Sequence, residues 1–166
     1  MRRASVIVDT NVAIVANGVI TSESLACQEA CLSALEEVVN KRICLLDSEG
    51  EIISEYLGAK PHGFPQGVGD LFLVWVYDNQ YNSEFCKITH VTPIPSRKRR
   101  FEEFPDDTDL EGFDPSDQKF VAVAIASEEA PPIFHATDRV WRRFEPALLK
   151  YGVHVKHLCS DSTSRV

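Results

Sequence analysis

Short apolar runs of strand length alternate with stretches of helical period along this chain, and that alternation restricts its fold more than any other feature. Residues 5–9, SVIVD, are apolar without a break until the acid, as a strand buried on both faces is. Residues 10–17 read as a short helix ending at Gly18. Over residues 22–41, Leu25, Ala26, Leu32, Leu35, Val38 and Val39 recur at helical spacing, and ICLLD (43–47) returns to strand. Ser48-Glu49-Gly50-Glu51 has the Ser-x-x-Glu spacing of a capping box, which predicts a helix that starts at Ser48 and carries Glu55 in its second turn. A Pro- and Gly-rich loop (59–69), a helix (70–80) and an alternating strand (87–94) follow. Asp114 and Pro115 prepare an alanine-rich helix over 117–126. IFHA (133–136) is a strand, 139–151 a helix closed by Gly152, and 153–158 a last strand. Such a pattern implies an α/β fold: a three-layer α/β/α sandwich, Rossmann-like, with a central, mainly parallel sheet and right-handed crossovers.

The 166 residues are the length of one domain, and 44% apolar content suffices for a core, so residues 1–166 are read as a single unit. Within it, the stretch 95–113 is too polar and acidic to bury and reads as an inserted mobile loop, and 159–166 as a short polar tail. No apolar stretch reaches membrane-spanning length. The amino terminus runs straight into a strand, with no apolar segment of a signal peptide, so a cytoplasmic location without a membrane partner is expected. The five cysteines, Cys27, Cys31, Cys44, Cys86 and Cys159, include no C-x-x-C pair. In a cytosolic setting they read as reduced, buried small hydrophobes.

Two predicted strands end in acids, Asp9 in VIVDTN and Asp138 in IFHATD. In open α/β sheets ligands bind beyond the carboxyl ends of the strands, which nominates that edge as the site. The predicted helices add Glu55 and Asp117, with Glu51 and Asp114 as their competitors; the capping box employs Glu51, and Asp114 suits a helix cap. An acid at the end of a buried strand costs several kcal/mol unless a cation neutralises it, by roughly the scale of ion desolvation. Oxygen ligands without His or Cys select Mg²⁺ or Mn²⁺, ions that activate water and hold a scissile phosphate.

The formal net charge of −8 is unevenly spread. Residues 101–117 hold eight acids and no Lys or Arg, directly after Arg97-Lys98-Arg99-Arg100. Residues 139–156 carry Arg139, Arg142, Arg143, Lys150 and Lys156 against Glu145 alone. A basic rim of Arg97, Lys98, Arg99, Arg100, Arg139, Arg142 and Arg143 around an acidic centre would attract a polyanion that the whole chain repels, the alternative being solvated loop and helix faces.

Four pieces, VIVDTNVAI around Asp9, LLDSEGEIISEYL around Glu55, DPSDQKFVAVAIAS around Asp117 and IFHATDRVW around Asp138, stand in an order that resembles the PIN-domain ribonucleases over roughly residues 5–158. The resemblance implies a metal-dependent endoribonuclease in which Asp9, Glu55, Asp117 and Asp138 hold Mg²⁺ or Mn²⁺ and Asn11 and Thr137 orient them. Many members are toxins of bacterial toxin–antitoxin pairs and others process RNA. A toxin or defence effector with an antitoxin or other protein partner, or a homodimer, is therefore the expectation. A distant branch of flap type cuts structured DNA, which makes a DNA nuclease the first alternative, and a scaffold that keeps the acidic pocket without catalysis the second. The insertion at 95–113 departs from the compact toxins.

Several residues carry plainer readings. Asn11 suits a helix cap as well as a site, His135 suits a core strand, and His154 and His157, three apart on a strand, face opposite sides. Trp75 and Trp141 read as core anchors, although Trp141 beside its arginines has the chemistry to stack on a base.

Overall fold

The computed structural model describes residues 2–18, 23–59, 67–137 and 139–159. The chain runs β1 (Ala4–Val8), α1 (Thr10–Ala16), α2 (Leu25–Lys41), β2 (Arg42–Asp47), α3 (Glu51–Ala59), α4 (Val68–Asn79), β3 (Cys86–Thr89), α5 (Gln118–Ala126), β4 (Ile133–His135), α6 (Arg139–Leu149) and β5 (Val155–His157). The strands form one sheet in the order β3-β2-β1-β4-β5, and every pairing is parallel. This is the α/β/α sandwich that the alternation of strands and helices requires. Among the described residues, no helix is long and apolar enough to cross a membrane.

Strand order fixes where a site can form. The chain moves outward from β1 through β2 to β3, then returns to the other side of β1 for β4 and β5. The crossovers therefore diverge between β1 and β4, opening a crevice beyond their carboxyl ends. Val6, Ile7 and Val8 are fully buried, which is why β1 can sit at the centre of the sheet.

Three local expectations differ from the structure. Helix α3 starts at Glu51 and not at Ser48, because Asp47 takes the capping role: its carboxylate accepts from the amides of Glu51 (3.0 Å) and Ile52 (2.8 Å). The Ser48 hydroxyl instead accepts from the Val91 amide, 3.0 Å away, so the capping box does not form. The strand expected over 87–94 is only the four residues of β3; Pro93 lies beyond it, bridged to Phe101 in a small antiparallel turn.

The third difference is the largest. The stretch 95–113 is pinned to the body of the protein, not loose, because its acids alternate with apolar anchors. Phe101, Phe104, Leu110 and Phe113 are all buried. Phe113 sets its ring edge-on to Trp141 (5.3 Å between centroids) and Phe144 (5.4 Å). Two of the insertion's acids, Asp107 and Asp109, find a cation. Lys150 donates to Asp107 (2.7 Å) and Asp109 (3.0 Å), and the Tyr151 hydroxyl also donates to Asp107. These bonds, with that of Lys150 foremost, hold the Asp107 carboxyl well below the usual range. Since α6 runs back from the carboxyl edge, Lys150, one residue past its end, ties Asp107 and Asp109 to the end of that helix remote from the edge. Phe113→Ala is expected to cost about 3–5 kcal/mol, the range for removing a buried aromatic side chain. Urea unfolding read together with trypsin cleavage after Arg97–Arg100 would check this; a midpoint and cleavage rate equal to wild type would mean the insertion is not anchored there.

The cysteines also differ. All five are buried, as expected of small hydrophobes, but Cys27 and Cys159 are joined in a disulfide with their Cα atoms 4.8 Å apart. The expected polar tail therefore begins with a buried residue. Cys31, Cys44 and Cys86 are free.

Candidate active site

Asp9 follows β1 and stands at the start of α1, only 3% exposed. Its amide donates to the Phe134 carbonyl of β4 (2.9 Å) and its carbonyl accepts from Val12 (3.0 Å), so the backbone is held across the β1–β4 junction. The carboxylate makes no capping bond to α1. Its side chain is thus not the cap of that helix.

Helix α3 delivers Glu55. Ile52 and Tyr56 are four apart and fully buried, and the Tyr56 hydroxyl donates to the Val8 carbonyl at the end of β1. This rotation leaves Glu55, one position before Tyr56, toward the crevice. Its carboxylate accepts from the Thr10 hydroxyl through one oxygen and from the Lys119 ammonium, 2.9 Å away, through the other. Glu51 turns elsewhere, to an ion pair with Arg100 at 2.5 Å.

Asp117 closes the 3-10 turn Pro115–Asp117 and precedes α5. Asp114 is the cap of that turn, accepting from the Ser116 amide and hydroxyl at 2.9 Å each, while the Asp117 side chain makes no capping bond. Of the two competing acids, Asp117 is the one in the crevice. Asp9, Thr10, Asn11, Ile14, Glu55, Gly58, Ala59 and Asp117 line a single cavity of about 380 Å³. Asn11 thus belongs to the cavity wall. Thr137 is half-buried, two residues past β4, and is not among the residues that line this cavity. Asp138 lies outside the described residues.

Sequence reading missed Lys119. It is 4% exposed, and besides Glu55 it donates to the Ser116 carbonyl. One signal was available: it is the single charge in the otherwise apolar helix QKFVAVAIA, and a lysine is almost never buried unless paired. The carboxylates surround the cavity loosely. Among the described residues, the ligand atoms of three metal-binding side chains come within 4.8 Å of one another at Cys27, Cys31 and Cys159, and not at the acids.

The basic residues divide into two sets. Arg99 donates to the carbonyls of Phe104 (2.6 Å) and Glu102 (2.7 Å), Arg100 pairs with Glu51, and Arg142 donates to the Cys159 carbonyl (2.8 Å). These three hold the structure together, a role their position in a charge run does not reveal. Arg97, Lys98, Arg139 and Arg143 are exposed. Arg139 opens α6 at the carboxyl edge, and the Lys98 carbonyl accepts from Gln118, the first residue of α5, so both pairs flank the crevice. Trp141 is fully buried and cannot stack on a base.

Below the crevice, His135 is fully buried and faces His157, its register partner on β5, with ring centroids 4.4 Å apart. The Nε2 of His135 meets the Nδ1 of His157, whose own Nε2 lies 2.5 Å from a carboxylate oxygen of Glu145. Burial first, then the nearby His157 and Arg142, push the His135 pKa down to about 3. His135 is therefore a neutral core histidine whose Nε2 meets a partner that the spacing of its own strand could not supply, while its Nδ1 is buried without a hydrogen-bond partner among the described residues.

No family model, no curated protein and no solved structure matches this chain.

Proposed function

We propose that this chain is a metal-dependent endoribonuclease of the PIN-like kind, hydrolysing phosphodiester bonds of RNA. One observation carries the reading: Asp9, Glu55 and Asp117, far apart in sequence, line one cavity at the edge where the crossovers diverge. The donor set suits a hard divalent cation, since it offers carboxylates and no His or Cys. Asp9 and Asp117 would hold Mg²⁺ or Mn²⁺, with Asp138 as the expected further ligand; the ion, when bound, supplies an activated water and charge neutralisation at the phosphate. Thr10 and Lys119 fix the Glu55 carboxylate, and Asn11 offers an amide at the cavity wall. A toxin or defence role, with an antitoxin partner, follows from the resemblance to the PIN-domain ribonucleases, as does the preference for RNA over DNA.

A second reading has an observation in its favour. Lys119 already neutralises Glu55 without a metal, and among the described residues no three carboxylates converge, as suits a module that binds but does not cleave. A fluorescent RNA and DNA panel assayed with Mn²⁺, Mg²⁺ and EDTA separates the two. RNA cleavage that EDTA stops supports the endoribonuclease, cleavage of DNA alone makes it a DNA nuclease, and binding without cleavage in any metal leaves the scaffold.

The exposed basic residues would track the backbone. Replacing Arg97 and Lys98 with Ala is expected to weaken single-strand binding and to flatten its log–log salt slope by about 1.4, at roughly 0.7 per neutralised phosphate. Binding measured across a salt series checks this; an unchanged slope removes both residues from the interface.

A further inference from the structure

Cys27 and Cys31 stand four residues apart on α2 and so share one face of that helix. Cys159 arrives from the other end of the chain, just past the edge strand β5. The three sulfur atoms lie within 4.8 Å of one another, all buried, and none of them belongs to the acidic cavity. Two of them form the disulfide; the third, Cys31, has its sulfur 3.9 Å from that of Cys159.

Those separations have a specific chemical meaning. A cation bonded to three thiolates at about 2.3 Å in a trigonal arrangement sets its sulfurs about 4.0 Å apart. The Cys31–Cys159 separation already matches. The disulfide alone does not require a third buried sulfur beside it, yet Cys31 supplies one from the same helix face as Cys27, whereas the remaining two, Cys44 and Cys86, are simply register partners on β2 and β3.

We propose that Cys27, Cys31 and Cys159 form, when reduced, a three-thiolate site for one thiophilic d¹⁰ cation, Cu⁺ or Zn²⁺, and that the Cys27–Cys159 disulfide is the closed state of that site. Soft sulfur donors without oxygen or nitrogen select this class of ion. Opening the site takes two electrons and two protons: a phosphine gives the electrons and becomes its oxide, with water supplying the oxygen and both protons, as the S–S bond breaks and two thiols form. Loading then releases the three thiol protons as three metal–sulfur bonds form. Arg142, whose guanidinium donates to the Cys159 carbonyl, places a positive charge beside the resulting anionic centre.

The test uses the full chain, reduced with a phosphine, desalted without oxygen, and titrated with Cd²⁺ as an optical probe. A sulfur-to-metal charge-transfer absorption reaching its plateau at one equivalent is expected. Carboxylates give no such band, so ions bound in the acidic cavity do not interfere. Competition with a Cu⁺ chelator and with a Zn²⁺ chelator then distinguishes the two ions. Cys31→Ala, which leaves the disulfide pair intact, is expected to lower affinity more than about tenfold, the loss already typical of disturbing outer-shell partners of a ligand. Cys86→Ala, outside the cluster, is expected to leave it unchanged, and melting temperatures establish that both variants fold. Absence of a stoichiometric band in the reduced wild type, equal affinity in Cys31→Ala, or equal binding by the oxidised protein would each overturn the proposal.

Discussion

Asp9→Asn is expected to abolish cleavage, a loss of about 10³-fold or more, while the fold keeps or gains stability. The loss follows from the position of Asp9: its carboxylate sits at the end of the central strand, in the wall of the cavity where several kcal/mol of charge stabilisation would be organised. The retained fold follows from the same position, since Asn is of equal size and removes one of the like charges that face the cavity with Glu55 and Asp117. Mn²⁺ should raise the melting temperature of the wild type by binding its folded state, and raise that of the variant less. Asp117→Asn should be as inactive as Asp9→Asn, and Asp114→Asn should keep activity, because Asp114 is spent on capping Ser116. Wild-type cleavage by Asp9→Asn in Mn²⁺ would remove Asp9 from the site.

What could be read in the sequence was whatever one element decides alone. The strands around Val6–Val8 and Leu45–Leu46 are apolar on both faces, so their burial and parallel pairing were legible without a partner. So was the capping role of Asp114, which stands before a proline, whereas Asp117 directly precedes the apolar helix. Legibility ended where two roles met at one residue or where a contact crossed the fold. Asp47 is both the last residue of β2 and the cap of α3, one residue before a Ser-x-x-Glu pattern that has capping spacing but does not cap. In the insertion the density of acids masks the anchors Phe101, Phe104, Leu110 and Phe113, whose irregular spacing follows neither a helical nor a strand period. Lys119 and Glu55 are 64 residues apart, and Cys27 and Cys159 are 132 apart; no periodicity announces such pairs.

The chain from Glu145 through His157 to His135 makes acid the condition to which this fold should be most sensitive. In the folded protein His135 stays neutral down to about pH 3, held there by burial and by the neighbouring His157 and Arg142. In the unfolded chain the same histidine takes up a proton below about pH 6.5. Between those values the unfolded state binds one proton more, so stability is fully present above 6.5 and falls as the pH is lowered. The slope from this residue is about 1.4 kcal/mol per pH unit, which by pH 4.5 has removed nearly 3 kcal/mol, a large part of the stability of a typical domain. The carboxylates of the protein add their own acid dependence, so the measurement must be a difference. His135→Gln keeps a donor for the Nδ1 of His157 but has no proton to gain. Urea unfolding at pH 7, 6, 5 and 4.5 should show wild-type stability falling more steeply than that of the variant, by about 1.4 kcal/mol per unit below pH 6. Parallel curves would mean that the buried histidine carries no part of the acid response.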